Sequence, residues 1–211
     1  MSVICAVQKD GDTVMAADTL TLFGEDDVAT PANAVAHKFM RLGTSLVGGA
    51  GWGLYDDILR DHLSETGPPD LSSERAIFRF FLDLWKALHD NYTFVNDQAA
   101  SKDTPFGDLD STFVIANPTG IFKVSSDLCV TRFEQYCAVG SGSQYACGAM
   151  QTLFARPGES AESIATAGVQ TAIALNVHCG GSIDVAYVDD TAHPPQTING
   201  TPGVLTEVAD A

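Results

Sequence analysis

The chain has 211 residues, 45% of them hydrophobic, enough to bury a full core. Its 11 Lys and Arg stand against 27 Asp and Glu, for a formal net charge of -16. It therefore lacks the basic footprint that nucleic acid or an anionic membrane surface requires. No run reaches the ~18 consecutive apolar residues of a membrane span. No basic stretch precedes the first apolar run, as it would in a signal peptide.

In chain order, residues 2–8 read as a strand, a Gly11-Asp12 turn follows, and Thr13 to Ala17 form a second strand ending at Asp18. Phe23 to Val35 holds Gly24, three consecutive acids and Pro31, and reads as a surface loop. Strands are expected over Ala36 to Leu42 and Ser45 to Gly49, so the first fifty residues form antiparallel strands. The period then changes. Tyr55, Ile58, Leu59, His62 and Leu63 share one helical face, and the helix stops before Gly67-Pro68-Pro69. A second helix starts near Ser72, with Ile77, Phe80, Phe81, Leu84 and Leu88 in a stripe. This stripe suits contact with a sheet.

Residues 93–109 are polar and read as a loop. Ser111 to Asn117 and Ile121 to Ser125 form a hairpin about Pro118-Thr119-Gly120, and Tyr136 to Val139 is a further strand. Gly140-Ser141-Gly142-Ser143 leads into a helix through Tyr145, Ala149 and Leu153. Ser160 caps a fourth helix carrying Ile164, Gly168, Ala172 and Leu175. Ile183 to Val188 is the last clear strand, and from about 189 a Pro- and Gly-containing C-terminal arm follows. Strands in two batches, each followed by a helix pair, imply an α+β fold. Two antiparallel sheets would stack face to face, flanked by helices, as a four-layer αββα sandwich.

Cys5, Cys129, Cys137, Cys147 and Cys179 are odd in number, far apart and without CxxC. This is the pattern of reduced thiols in a cytoplasmic protein. Neither they nor the scattered histidines have zinc-ligand spacing, so no metal and no cofactor is expected.

The N-terminus carries the chemistry. Ser2 is small, so trimming of Met1 is expected. It would leave a hydroxyl a few ångströms from its own α-amine, whose ordinary pKa is roughly 7.7–8.0. An N-terminal hydroxyl residue using its own amine as base is an activated nucleophile.

Four motifs then stand in order: Val14-Met15-Ala16-Ala17-Asp18; His37-Lys38-Phe39-Met40-Arg41-Leu42; Gly48-Gly49-Ala50-Gly51; and Ala138-Val139-Gly140-Ser141-Gly142-Ser143-Gln144-Tyr145-Ala146. Together they resemble proteasome-type β subunits, the group that includes the bacterial HslV peptidase. The resemblance runs to about Val188 and implies a single N-terminal nucleophile (Ntn) hydrolase domain over 1–211, of a divergent bacterial branch. It implies Ser2 as nucleophile, Lys38 as the ammonium favouring its alkoxide, and Asp18 as the carboxylate that orients Lys38. It further implies Gly48 N–H as oxyanion donor and Ser141 as a hydroxyl near the amine. Leu22, Ala36, Leu46 and Ala50 would line a roomy apolar pocket, so cleavage after apolar side chains is expected.

The implied assembly is a homo-oligomeric double ring of about six or seven subunits per ring, closed by rotational symmetry. It would take peptide or unfolded protein substrates and an ATP-driven unfoldase as a further partner. Two other readings stay open: an Ntn amidohydrolase for a small molecule, or a non-catalytic ring or scaffold protein that retains Met1. The sequence departs from the family pattern at Ser2 (for Thr), Leu20 (for Arg), Asn176 (for Asp) and Cys179 (for Ser).

Overall fold

The chain opens with β1 (Ile4–Lys9) and β2 (Asp12–Asp18), joined through Asp10 and Gly11 at φ 53° and 97°. Two successive left-handed residues give the tight turn whose twist matches a hairpin. The computed structural model describes residues 2–23, 27–29, 37–92, 109–190 and 196–198. After the hairpin come β3 (Thr21–Phe23), β4 (Asp27–Ala29), β5 (Phe39–Leu42) and β6 (Ser45–Ala50). Helices α1 (Leu54–Thr66) and α2 (Glu74–Asn91) follow. Then come β7 (Thr112–Asn117), β8 (Gly120–Val124), β9 (Val130–Phe133) and β10 (Tyr136–Val139). Helices α3 (Ser143–Phe154) and α4 (Ala161–Leu175) precede β11 (Ile183–Tyr187) and β12 (Gln196–Ile198).

The strands form two five-stranded sheets, ordered β10-β1-β2-β11-β12 and β5-β6-β7-β8-β9, with a separate β3-β4 ribbon. Every pair is antiparallel. The first hairpin is therefore flanked on both sides by strands from late in the chain.

Side-chain alternation builds the layers. Val3, Cys5, Val7, Val14 and Ala16 face α3 and α4, meeting Met150, Ile164 and Val169. Their neighbours Ile4, Ala6, Met15 and Ala17 face the second sheet, meeting Leu46, Val114 and Ala116. On that sheet's far side Val47, Phe113 and Ile115 meet Ile77, Phe81 and Leu84. Three apolar interfaces between four layers make the αββα sandwich. Because β1 and β2 are covered on both faces, they read as continuous apolar runs. Burying a side chain such as Ile4 or Met15 contributes roughly 1.5–3 kcal/mol. Gly168 lets α4 come close, since a Cβ there would lie 3.0 Å from Met150 Cγ and 3.3 Å from Cys5 Sγ.

The helices start and stop on local signals. Ser73 Oγ accepts from Ala76 N at 3.3 Å and Ser160 Oγ from Ser163 N at 3.1 Å. Gly67, at φ 78°, ends α1 by donating to Leu63 O. The structure differs from the sequence reading in five places. The strand expected over Ala36 to Leu42 is Phe39–Leu42 among the described residues. The expected 23–35 loop contains β4, paired to β3. The arm contains β12, paired to β11. Strand β9, whose Thr131 and Arg132 are exposed, was not expected at all. These are short edge segments, held by pairing more than by apolar pattern. In α3 the buried residues are Ala146 and Met150, and Tyr145 is exposed. Met1, Ala36 and most of the 93–109 loop lie outside the described residues.

Candidate active site

The hairpin register sets the site. Ile4 pairs with Ala17, so the chain before β1 runs beside Asp18, the last residue of β2. Asp18 is fully buried and its carboxylate collects three donors. Val3 N–H donates to Oδ1 at 2.9 Å, Lys38 Nζ donates to the same oxygen at 2.7 Å, and Gly180 N–H donates to Oδ2 at 3.0 Å. Burial pushes the Lys38 ammonium below its ordinary value of 10.5, and the Asp18 charge opposes that fall. Desolvation disfavours the cation and a contact carboxylate favours it. Lys38 is thus a buried ammonium held by one partner.

The loop after β10 fixes Ser2 from the other side. Gly142 N–H donates to Ser2 O at 3.2 Å, and Ser141 Oγ lies at 3.5 Å from the same carbonyl. Gly140 has φ 93°, and a Cβ there would lie 2.1 Å from Ser2 O. Only glycine permits that approach. Asn176 Nδ2 donates to Ser141 O at 2.8 Å, so this residue braces the loop through its amide. Cys179 is buried, and its thiol is pushed up to about 11, first by burial and then by the Asp18 charge. It stays a neutral thiol at physiological pH, beside the Ser141 hydroxyl. A Cβ on Gly142 would lie 2.7 Å from Cys179 Sγ, so the small residue and the thiol fit one another.

A cleft of about 720 Å³ opens beside Ser2. It is lined by Ser2, Lys38, Leu20 and Leu22, by Gly49, and by the start of α1 from Leu54 to Asp57 with Arg60. Of the expected pocket residues, Leu22 lies on it. Leu46 and Ala50 do not: both are buried between the two sheets. Alternation along β6 explains this correction. Leu46, Gly48 and Ala50 point inward, and Gly49 points to the helix side, where the cleft lies. Gly48 sits opposite Phe39, directly after Lys38, and a Cβ there would be 3.0 Å from Ile4 Cδ1.

Sequence reasoning missed His37, Asp56 and Ser111, which also line the cleft. His37 Nδ1 lies 2.7 Å from Oδ2 of the buried Asp184. Burial pushes the Asp56 carboxyl up from 3.8 to about 6, against the pull of Arg60. The signal for Asp56 was its place in the first helical turn directly after the glycine-rich strand end. A second hollow of about 560 Å³, containing Cys137 and Cys147, shares no lining residue with this cleft. Among the described residues no group of three or more His, Cys, Asp or Glu could hold a metal ion.

No protein-family model and no curated protein matches the chain. Solved structures do. Thiobacillus denitrificans BPH, a bacterial proteasome homologue, matches with TM-score 0.80 and 31% identity, over 88% of this chain and 96% of that one. The chain belongs to the proteasome β-type Ntn hydrolases. A second structure of the same relative, in complex with epoxomicin, matches with TM-score 0.80 and 32% identity, over 88% of this chain and 97% of that one. HslV from Trypanosoma brucei shares the fold, with TM-score 0.63 and 21% identity over 88% of this chain and 98% of that one. Within this family the chain shows Asp18 and Lys38 in direct contact beside Ser2. No helix among the described residues is long and apolar enough to cross a membrane.

Proposed function

We propose that this chain is a peptidase subunit whose nucleophile is Ser2, exposed by removal of Met1. The observation that carries this reading is the Asp18 carboxylate, which ties Val3 N–H, Lys38 and Gly180 N–H together beside Ser2. A buried carboxylate with three donors positions a cation rigidly, where a surface pair would contribute only ~0–1 kcal/mol.

The reaction is acyl transfer. Ser2 Oγ attacks the peptide carbonyl while the Ser2 α-amine takes its proton. The ammonium of Lys38 favours the developing alkoxide, and Gly48 N–H is assigned the oxyanion, a contact worth ~2.7–4 kcal/mol. The C–N bond breaks as the α-ammonium returns the proton to the leaving amine. Water, deprotonated by the same amine, then hydrolyses the ester. Ser141 and Gly142 hold the Ser2 carbonyl, and so the direction of its amine. Serine lacks the methyl that would restrict the rotamer of threonine, so positioning by these neighbours matters more here.

The family supports a multi-subunit ring, and we extend this to a closed double ring with the clefts facing an inner chamber. Electron microscopy of the purified protein checks it, with two stacked rings expected. Intact mass should show Met1 absent. Epoxomicin, which the BPH relative binds, should add its mass to the peptide that starts at Ser2. Ser2→Ala should abolish both this adduct and peptide hydrolysis, at least a 10³-fold loss of kcat/KM. Retained Met1, or unchanged labelling of Ser2→Ala, would refute the assignment.

A further inference from the structure

We infer that Asp56 and Ser111 form a polar end to the cleft that selects a cationic side chain, lysine or arginine, at the residue before the scissile bond. This deepens the peptidase reading and rests on it. It also replaces the apolar preference expected from Leu46 and Ala50, which do not reach the cleft.

Asp56 sits over β6 one residue beyond Gly48. A Cβ on Gly49 would lie 2.8 Å from Phe113 Cε1 and 3.1 Å from Asp56 Oδ1, so the glycine lets the ring and the carboxyl pack close over β6. The Asp56 backbone N–H donates to Gly53 O, but among the described residues no hydrogen bond or ion pair reaches its carboxyl. Ser111 is an independent sign of an unfilled site. It is 4% exposed, lines the same cleft, and its Oγ has no hydrogen-bond partner among the described residues. A Cβ on Gly51 would lie 1.9 Å from that oxygen, so the hydroxyl fills the space the glycine leaves. Buried polar atoms are normally satisfied. Two unanswered groups at one end of a cleft call for a ligand with donors.

Of the other charges lining the cleft, Lys38 and His37 are committed, and Arg60, one turn along α1, pulls on Asp56 without an ion pair among the described residues. Lys38 is held by Asp18 at 2.7 Å and His37 by Asp184 at 2.7 Å. Arg60 and Asp57 are both exposed on α1. The remaining walls are apolar: Leu22, Tyr55 and Phe113, with Trp52 at the rim. A long amphipathic side chain fits this arrangement. Its methylene stem lies along apolar walls and its head reaches the carboxylate. Since burial pushes Asp56 up to about 6, the selectivity should be strong at pH 8 and fade below pH 6, as the carboxyl takes up a proton.

The test uses the full assembled protein and two fluorogenic peptides that differ only before the scissile bond, lysine against norleucine, its uncharged analogue in length. We expect the kcat/KM ratio to favour lysine by at least tenfold at pH 8 and to fall towards one by pH 5. Asp56→Asn should reduce the pH 8 ratio at least fivefold, and Ser111→Ala about twofold. Reading a ratio cancels any general loss of activity. The wild-type pH profile decides the matter even if a variant does not fold. A wild-type preference for norleucine with the epoxomicin adduct present overturns the Asp56 assignment alone. Absence of both the adduct and any peptide cleavage overturns the peptidase reading, and this inference with it.

Discussion

Two aspartates, one buried beside Ser2 and one on the cleft wall, have opposite surroundings. Asp18 is fully enclosed and receives Val3 N–H, Lys38 and Gly180 N–H. Asp56 is half-buried, and among the described residues no hydrogen bond or ion pair reaches its carboxyl. One carboxyl is held by its partners and holds them in turn. The other bears a cost of burial that the pull of Arg60 and Lys38 does not offset, and its raised pKa records this. Satisfied buried polar groups rigidify, and unsatisfied ones are expensive to keep. The contrast separates architecture from recognition within one site.

Three substitutions probe that contrast. Asp18→Asn should be the most damaging. It removes the charge that pairs with the buried Lys38, and breaking a buried pair costs at least about 3 kcal/mol. A fall in Tm of roughly 6–12 °C is expected by differential scanning calorimetry; an unchanged Tm would mean that the three donors do not need the carboxylate.

Asp56→Asn should act in the opposite direction. A group whose folded pKa is raised is stabilising when protonated, and that stability is lost as pH rises through the folded value. For Asp56 the window runs from 3.8 up to about 6. The shift corresponds to roughly 3 kcal/mol, cut to about 2 kcal/mol by partial exposure. Urea unfolding should therefore find the Asn variant more stable by about 2 kcal/mol at pH 8 and level with the wild type near pH 4. A less stable variant at pH 8 would assign Asp56 a structural partner.

Ser111→Ala should have the smallest effect. Removing a hydroxyl without a partner is neutral or stabilising, by up to about 1 kcal/mol. A loss above about 1 kcal/mol in the same titration would place Ser111 with the architectural groups.

Much of the fold was legible because β1, β2, β6 and β7 are long and apolar, and because α2 and α4 carry their own serine caps. The face-to-face sheets followed from two batches of strands. What the pattern hid was short or one-sided. Strand β4 has three residues in an acidic stretch, and β12 has three after a pair of prolines. At the site, Asp18, Lys38 and Ser141 could be singled out because each stands in one of the motifs that carry the family resemblance, and Ser2 because it is a small hydroxyl residue directly after Met1. The structure brings Asp18 into contact with Lys38 and places Ser141 at the Ser2 carbonyl. Leu46 and Ala50 were misplaced because a strand's sequence gives its alternation but not which face meets the cleft. Asp56 was overlooked because acids in a first helical turn are expected to complement the helix dipole. Its proximity to Gly49 depends on how α1 is set against β6, and the local pattern does not contain that.

The placing of β1 and β2 between β10 and β11 has a consequence for timing. Ser2 stands far before Gly142 and Gly180 in the chain, yet its carbonyl is held by Gly142 and its Asp18 neighbour by Gly180. Synthesis runs from the N-terminus at about 5–20 residues per second, so roughly 10–35 seconds separate Ser2 from its last partner. A nascent chain can carry the proposed nucleophile but cannot yet aim it. The order of the strands thus works as a delay, leaving the surroundings of Ser2 unassembled until Gly180 has been made.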